Sequence, residues 1–369
     1  MVHDAAGATA LQPYGQREHE VIYSVGRAAL NRVLIEEATR QGNVDVRFQE
    51  TCIAALPETN LLRVRRNSGE IYETPLAPTI AADGAGSAIR ASLQSAGRIA
   101  VREDWLDHDY KELSFPARAG KPVLDGNSLH IWPRGGYMLI ALPNTDGTFT
   151  ATLFLASRGP NSFAELDSPD SVAAFFRREF PDAVPLMPHL LSEFAAHPQG
   201  KLGTVHATPW HLGGSVLLLG DAAHAIVPFH GQGMNAAFED CFELDALLEL
   251  HADWESAFAA LTHSRRPNTE AIAAMALENY TEMRHTVLDA GFVRRKAIAM
   301  ELERRFPDRF IPRYSMVMFH PEIPYAQARH RGALQEQILL ELDSRRAPGG
   351  TVDSELAAGL VMQRLPALR

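Results

Sequence analysis

The chain has 369 residues, which at about 150 residues per domain predicts two or three packed units. A hydrophobic share of 46% over this length excludes wholesale disorder. The 35 Lys and Arg residues against 45 Asp and Glu residues give a formal charge of −10, without the basic excess that is typical of nucleic-acid binding. No apolar run of the sequence reaches the roughly 18 residues that a membrane helix needs, and the first residues do not have the pattern of a signal peptide.

The sequence contains two cysteines, Cys52 and Cys241, which exclude a disulfide framework and favour a reducing compartment. We therefore expect a soluble, cytoplasmic protein of mixed α/β class. We expect it to bind no nucleic acid and to carry no membrane anchor.

Hydrophobic periodicity predicts the elements in the first part of the chain. A helix follows Ser24, which can cap it. Alternating apolar residues over 44–48 predict a short strand. Residues 137–142 and 148–155 alternate on either side of an Asp-Gly turn, and this pattern predicts a β-hairpin.

The second part of the chain changes from strand to helix. An apolar run over 215–219 predicts a buried strand that ends at Gly220. After Gly233 the apolar spacing indicates a long helix, and further helices are predicted over 254–261, 267–288 and 292–304. The predicted fold is therefore a mixed sheet domain with crossover helices, an inserted antiparallel sheet and a helical C-terminal third.

The densest motif is GDAAHAIVPFHGQGMNAAFED, from Gly220 to Asp240. It combines a strand end, an acidic turn, a glycine-rich loop and the start of a helix. Asp221 lies where open α/β sheets bind ligands, and its carboxylate can accept hydrogen bonds from ribose or ribityl hydroxyls. Gly231 and Gly233 allow backbone amides to approach a ligand, and the positive end of the following helix favours negative charge there. A lone Gly-x-Gly is more often part of a glycine-rich linker than of a functional site, but an ordered motif of this length favours a functional site.

The segment GQGMNA also matches the letters of a dinucleotide fingerprint, but its spacing does not fit one. Ten residues separate the strand end at Gly220 from Gly231, which is too many for the tight turn.

A second motif, DGAGSAIR, spans Asp83 to Arg90. A strand ends at Asp83, two glycines turn the chain, and Ser87 can cap a short helix. An ordinary connection with Arg90 facing solvent and a functional turn explain this segment equally well.

The histidines do not indicate a metal site, and we expect none. His206, His211, His224 and His230 are close in sequence but are not paired at i,i+4 spacing.

The order of DGAGSAIR and GDAAH…P…GQGMN resembles the aromatic-ring flavoprotein monooxygenases. Further segments are similar to the members of that family that hydroxylate kynurenine, and the likeness covers essentially the whole chain. These segments are QPYG (Gln12–Gly15), YKEL (Tyr110–Leu113), LHIWPRGGYMLIALPN (Leu129–Asn144), ALENYTEMR (Ala276–Arg284) and FPDRFIPRYSMVMF (Phe306–Phe319).

The sequence departs from the family at its start. The family opens with a strand, a G-x-G-x-x-G turn and a helix that hold the ADP half of FAD, and the chain begins beyond them. An arginine that pairs with the substrate carboxylate stands in the family just before the segment that matches Met1. We therefore expect an N-terminally truncated FAD domain that binds FAD poorly.

The resemblance implies two sets of site residues and no catalytic side chain, because the flavin carries the chemistry. The implied cofactor-binding residues are Arg27, Cys52, Asp221, Pro228, Gly231, Gly233, Met234 and Asn235. The implied substrate-binding residues are Tyr14, Asn279 and Tyr314 for the amino-acid end of the substrate and Phe229, His230 and Met283 for its aromatic ring.

The resemblance also implies the activity. FAD and NADPH would be the cofactors, and L-kynurenine and O2 the substrates, with 3-hydroxykynurenine formed through a flavin hydroperoxide in tryptophan degradation or NAD biosynthesis. Two alternatives stay open: a hydroxylase of another aromatic acid, of salicylate or benzoate type, and a non-catalytic remnant.

We expect four regions along the chain. Residues 1–95 are the remaining part of the FAD domain, 96–205 a substrate domain with the antiparallel sheet, 206–265 a return to the FAD domain, and 266–369 a helical region.

Overall fold

A computed structural model of the chain describes residues 1–13, 15–40, 42–286, 289–346 and 352–368, without the side chains of residues 285 and 286. The strands in this part of the chain are β1 Val2–His3, β2 Thr9–Ala10, β3 Glu50–Leu56, β4 Leu61–Arg66, β5 Ile71–Pro75, β6 Thr79–Ala81, β7 Ala100–Phe115, β8 His130–Pro133, β9 Met138–Pro143, β10 Phe149–Ala156, β11 Gln199–Thr208, β12 His211–Leu212 and β13 Val216–Leu218. The α-helices are α1 Arg27–Arg40, α2 Ala88–Ser95, α3 Pro169–Glu179, α4 Leu190–Ala196, α5 Asp221–His224, α6 Gly233–Leu250, α7 Trp254–Thr281, α8 Ala290–Arg305, α9 Arg313–Phe319, α10 Tyr325–Arg345 and α11 Ser354–Arg364.

The chain divides into two compact units. Unit 1 comprises Met1–Gly26, Leu106–Leu202 and Glu278–Arg369, and unit 2 comprises Arg27–Trp105 and Gly203–Leu277. The division falls within β7, β11 and α7. The four regions expected from the sequence stay a prediction.

Unit 1 is built on a seven-stranded sheet with the order β11-β7-β10-β9-β8-β1-β2. The predicted hairpin is present as β9 and β10, in which Thr150 pairs with Leu142 and Phe154 with Met138. Gly147 at the turn has a φ of 82°, which glycine adopts without strain. The sequence alternation therefore specifies both strands and their register.

One face of this sheet is covered by α3 and α4, and aromatic side chains fill the space between them. Ser168 caps α3 by accepting a hydrogen bond from the N–H of Ser171, and Pro169 occupies the first turn. The fully buried aromatic residues of this core include Phe115, Trp132, Phe149, Phe176 and Phe180. In a separate core of unit 1, α8, α10 and α11 pack against each other, with Leu302, Phe310, Ile338, Leu342 and Val361 at its centre.

Unit 2 contains a small parallel pair of strands, β6 and β13, extended by the antiparallel β12. A second sheet of three antiparallel strands, β3-β4-β5, packs with α2 on a core that includes Leu76, Leu93, Trp210 and Phe258. The three residues of β13 are fully buried, as the apolar run of the sequence predicts.

Three features differ from the sequence predictions. Residues 44–48 form irregular chain and a turn, and Phe48 is exposed. The strands β3, β7 and β11 and the two-residue strands β1, β2 and β12 were missed. The helix α7 runs continuously through Pro267, where the sequence predicts a new helix to begin.

The fold class is confirmed: strands and helices are mixed, an antiparallel sheet occupies the middle of the chain, and its C-terminal third is helical. Within the described ranges, every helix is too short or too polar to cross a membrane.

Candidate functional site

The two motifs singled out in the sequence follow two neighbouring parallel strands. β6 and β13 run side by side, with Ala81 opposite Leu218, and the N–H of Leu219 donates to the carbonyl oxygen of Ala81 at 3.0 Å. Asp83 follows β6 and Asp221 follows β13. Because the carboxyl ends of parallel strands meet at one edge of a sheet, both motifs lie at the edge where α/β sheets bind ligands.

Arg90 joins the two motifs, and its burial excludes the placement that faces solvent. It is buried, and it donates from Nη1 to the carbonyl oxygen of Ala222 at 3.0 Å and from Nη2 to that of Ala85 at 2.5 Å. The N–H of Arg90 also donates to the capping hydroxyl of Ser87 at 2.9 Å. Arg90 therefore faces the interior and fixes the two turns against each other.

The turn between β13 and α5 depends on Gly220. Its φ of 57° and ψ of −137° lie in a region that is essentially restricted to glycine, and a Cβ there would lie 3.0 Å from the Cβ of Ala237. This turn leaves the carboxylate of Asp221 exposed, where it accepts no hydrogen bond from any other residue that the structure describes. The carboxylate is therefore available to accept hydrogen bonds from the hydroxyls of a ligand.

The loop that follows leads to the N-terminus of α6. Gly231 adopts a left-handed conformation with a φ of 70°, and the space that a Cβ would enter is open. The side chain of Gln232 does not cap α6 and instead accepts a hydrogen bond from Nδ2 of Asn235 at 2.9 Å. Met234 and Asn235 are exposed on this first turn. The arrangement presents backbone N–H groups and the positive end of the helix dipole to any group placed there.

These features fit the isoalloxazine and ribityl parts of a flavin. An exposed carboxylate suits ribityl hydroxyls, and an uncapped helix N-terminus suits the electron-rich edge of the ring. The open space at Gly231 allows close approach to the backbone.

Comparison with known proteins gives the same assignment. A family model described as an FAD binding domain matches residues 6–276. The kynurenine 3-monooxygenase of Xanthomonas campestris pv. campestris is 47% identical over 343 residues, which are 92% of this chain and 75% of that protein. The kynurenine 3-monooxygenase of Xanthomonas euvesicatoria pv. vesicatoria is 44% identical over 370 residues, 100% of this chain and 81% of that protein. The chain belongs to the kynurenine 3-monooxygenase family.

The fold of this family member also occurs in solved structures of other enzymes. The tetrameric form of 2-methyl-3-hydroxypyridine-5-carboxylic acid oxygenase superimposes with a TM-score of 0.55 at 22% identity, over 71% of this chain and 68% of that chain. The likeness supports the fold.

The remaining cofactor-binding residues expected from the kynurenine 3-monooxygenase resemblance lie elsewhere in unit 2. Arg27 is the first residue of α1 and is exposed. Cys52 lies in β3 beside an irregularity in its pairing with β4, and burial raises the pKa of its thiol. Pro228 begins the short turn Pro228–His230 before Gly231 and is exposed. Their contact with FAD stays a prediction.

Two of the expected substrate-binding residues of this family meet at the end of α7, in unit 1. The amide Nδ2 of Asn279 lies 3.6 Å from the sulfur of Met283. Met283 belongs to a π-helical turn, Glu282–Thr286, and such turns often occur at functional sites. An ion pair between Glu278 and Arg313 links this segment to α9, which carries the half-buried Tyr314.

The other three expected substrate-binding residues are placed differently. Phe229 and His230 are both buried in unit 2, within the turn that precedes Gly231. Tyr14 lies outside the described residues. The substrate roles of all six residues stay predictions.

A polar cluster that includes Arg284, His108 and Tyr280 lies beside the Asn279 segment and was not predicted. Nη1 of Arg284 lies 3.3 Å from Nε2 of His108, and its guanidinium lies 4.5 Å from the ring centre of Tyr280. His108 also contacts Asp107 through Nδ1 at 2.6 Å, and burial raises the pKa of Tyr280 to about 12. The signal in the sequence was the ALENYTEMR segment, in which Tyr280 and Arg284 are four residues apart and therefore share one helix face.

Proposed function

We propose that this chain hydroxylates L-kynurenine at the ring carbon ortho to the amine, with FAD bound and NADPH and O2 consumed. The balanced reaction is L-kynurenine + NADPH + H⁺ + O2 → 3-hydroxykynurenine + NADP⁺ + H2O. The observation that carries the proposal is the placement of Asp221 and the uncapped start of α6 at one sheet edge, in a member of the kynurenine 3-monooxygenase family.

We propose that the cofactor is held mainly by the GDAAH…GQGMN motif. Asp221 binds the ribityl hydroxyls, and Gly231, Gly233, Met234 and Asn235 contact the pyrimidine edge of the ring. Arg27, Cys52 and Pro228 complete the set. FAD, when bound, accepts the hydride and activates O2, and the protein orients it and shields it.

The α6 N-terminus supplies electrostatic stabilisation in this proposal. Its first-turn N–H groups and helix dipole favour negative charge on a neighbouring group, and they are already in place before any charge develops. Because the amine of kynurenine already donates electrons into the ring carbon that is hydroxylated, the reaction needs no strong side-chain base. We therefore assign no catalytic side chain.

The substrate is a zwitterionic amino acid with an aromatic ring, and we propose two sets of contacts for it. Asn279, Tyr314 and Tyr14 bind its amino-acid end. Phe229, His230 and Met283 contact its ring, and the loop from Pro228 to Gly231 excludes water. We also propose a cytoplasmic location, which suits the free thiols of the two cysteines.

The test is NADPH oxidation by the 369-residue chain after loading with FAD. With L-kynurenine present, NADPH oxidation accelerates, and 3-hydroxykynurenine forms in proportion to the NADPH consumed. A panel with salicylate and benzoate identifies a different substrate class by the same readout. If L-kynurenine changes neither the rate nor the products, the proposed function is wrong.

A further inference from the structure

A buried carboxylate lies behind the first turns of α6. Asp240 is fully buried, and its Oδ2 accepts a hydrogen bond from Nε2 of His224 at 2.5 Å. The same oxygen lies 3.3 Å from the backbone N–H of Gly220, and Oδ1 accepts from Nε of Arg265 at 2.7 Å. One side chain therefore contacts the turn after β13, the end of α5 and a residue of α7.

Arg265 extends this network to the first turn of α6. Its Nη2 donates to the carbonyl oxygen of Ala236 at 3.1 Å, and its Nη1 pairs with the half-exposed Glu239 at 2.8 Å. Burial alone would lower the pKa of Arg265, but its hydrogen bond with Asp240 and the charges of Asp240 and Glu239 raise the pKa above its ordinary value. The guanidinium is thus a fixed cation that holds α6 to α7.

His224 is the third side chain of this network, after Asp240 and Arg265. It is the last residue of α5, the single turn that begins with Asp221. The indole of Trp210 lies against its imidazole, with 4.9 Å between the ring centres. The network therefore connects the turn that carries Asp221 to the first turn of α6.

We propose that Asp240 is a positioning residue for the flavin. It fixes the spacing between Asp221 and the N–H groups that begin α6, and so it sets both the affinity for FAD and the preference for the reduced form. The proposal rests on the proposed function, because it needs FAD at these two contacts.

The physical reason is preorganisation. A rigid ligand that is held at two points binds well only if the two points keep a fixed spacing in the free protein. A buried carboxylate is costly to desolvate, and Asp240 offsets that cost with hydrogen bonds from Gly220, His224 and Arg265. A hydrophobic contact at this position would pack α6 without fixing its distance from Asp221.

The direction in which the reduction potential of the bound flavin changes distinguishes positioning from a charge effect. If Asp240 acts by holding the α6 N-terminus at the ring, Asp240→Asn weakens that contact, and reduced FAD loses more binding than oxidised FAD. If Asp240 acts only through its charge, its neutralisation favours the more negative, reduced form. Positioning therefore predicts a lower reduction potential, and a charge effect predicts a higher one.

The experiment compares Asp240→Asn with the matched control Glu239→Gln. Both substitutions remove a carboxylate that pairs with Arg265, but Glu239 is half-exposed, whereas Asp240 is fully buried and also accepts from Gly220 and His224. We expect Asp240→Asn to bind oxidised FAD about tenfold more weakly than the wild type does. We also expect the ratio of its affinity for reduced FAD to its affinity for oxidised FAD to fall about tenfold, which lowers the reduction potential of the bound flavin by about 30 mV. Glu239→Gln should match the wild type. An unchanged or higher potential in Asp240→Asn overturns the proposal.

A second pair of variants covers the case in which Asp240→Asn does not fold. His224→Gln retains an N–H that can donate to Asp240, whereas His224→Ala does not. The proposal predicts a near-normal potential for His224→Gln and a lowered one for His224→Ala. Equal potentials in the two variants contradict it.

Amide hydrogen exchange tests the network without FAD. In the cofactor-free protein, Asp240→Asn or His224→Ala should accelerate exchange at Gly220 and Ala236, while Glu239→Gln should not. If the wild type binds no FAD, the proposed function fails, and this measurement still tests the network. Unchanged exchange at both amides means that Asp240 does not hold the two segments together.

Discussion

Nη1 of Arg90 donates a hydrogen bond to the carbonyl oxygen of Ala222 at 3.0 Å, across 132 residues of sequence. Ala222 is the second residue of α5, and Arg90 lies near the start of α2. The bond therefore joins the DGAGSAIR motif to the GDAAH motif, which are otherwise linked through the strands β6 and β13.

Replacing Arg90 with alanine should weaken both the fold and FAD binding. The substitution removes the donor of the buried carbonyl oxygen of Ala222 and of the exposed Ala85, which costs about 3 kcal/mol in the free energy of unfolding. Because the turn at Asp221 then moves more freely, we expect FAD to bind about tenfold more weakly. Urea denaturation and titration of flavin fluorescence measure the two effects.

The control is Arg98→Ala, which removes an exposed arginine that pairs with Glu58. Exposed ion pairs contribute roughly 0–1 kcal/mol, so this variant should be close to the wild type in both measurements. Equal losses in the two variants would mean that the Arg90 bonds are not what holds the motifs together.

The structure around Arg90 contains features that could be predicted from the sequence and others that could not. The turn at Asp83, the capping role of Ser87 and the helix after Gly233 follow local rules of backbone geometry and capping, and they were predictable. The burial of Arg90 was not, because its acceptor at Ala222 is distant in sequence. The contact between Asp240 and Arg265, 25 residues apart, was not predicted for the same reason.

Some of the strands could likewise be predicted from the sequence and others could not. The hairpin of β9 and β10 was predictable because alternation and an Asp-Gly turn agree. The strand β7 was missed because its first half is rich in charged residues with low strand propensity. Its second half, from His108 to Phe115, pairs with β10, and this long-range pairing is not visible in the sequence. The alternation over 44–48 was misleading, since alternation alone does not supply a neighbouring strand.

Replacing Gly220 with alanine should destabilise the protein more than replacing Gly231. Gly220 has a φ of 57° and a ψ of −137°, and a Cβ there would lie 3.0 Å from the Cβ of Ala237. Backbone strain and this close contact would therefore both destabilise the alanine variant. We expect a loss of about 3 kcal/mol in the free energy of unfolding. Gly231 is left-handed with open space around it, and its substitution should cost about 1 kcal/mol.

Urea denaturation of both cofactor-free variants measures the difference. A loss at Gly231 as large as that at Gly220 would contradict the prediction that strain and the contact with Ala237 make Gly220 the more restricted position.

Replacing Asp109 with asparagine should change how the stability of the protein depends on pH. Asp109 is fully buried and accepts hydrogen bonds from Gln199 at 2.5 Å and from Lys201 at 2.7 Å. Burial alone would raise the pKa of this carboxyl, but these bonds outweigh it and lower the pKa below its ordinary value. The stabilisation is therefore present above the ordinary aspartate pKa of about 3.9 and is lost as the pH falls through the lower, folded value.

At pH 7 we expect Asp109→Asn to lower the free energy of unfolding by about 2 kcal/mol, since hydrogen bonds to charged groups are lost. The difference from the wild type should shrink as the pH is lowered through and below about 3.9. Urea denaturation across this range measures it, with Glu112→Gln, an exposed change on the same strand, as the control. A difference that is the same at every pH would contradict an ionised Asp109 as the cause.

Replacing Asn279 with alanine tests the proposed substrate contacts directly. Asn279 lies at the end of α7, with its amide 3.6 Å from the sulfur of Met283, at the start of a π-helical turn. If this amide binds the charged amino-acid end of kynurenine, its removal should raise the KM for kynurenine about tenfold, because hydrogen bonds to charged groups contribute roughly 1.5–3 kcal/mol. Because the contact is made equally before and during the reaction, kcat should change little.

The control is Glu270→Ala, which removes an exposed side chain of α7 that pairs with Arg266. It should leave the KM for kynurenine unchanged. The KM for NADPH should be unchanged in both variants, since the lost contact belongs to the amino-acid substrate. A fall in kcat with an unchanged KM for kynurenine would indicate that Asn279 maintains the helix end instead, because a substrate contact must affect binding first.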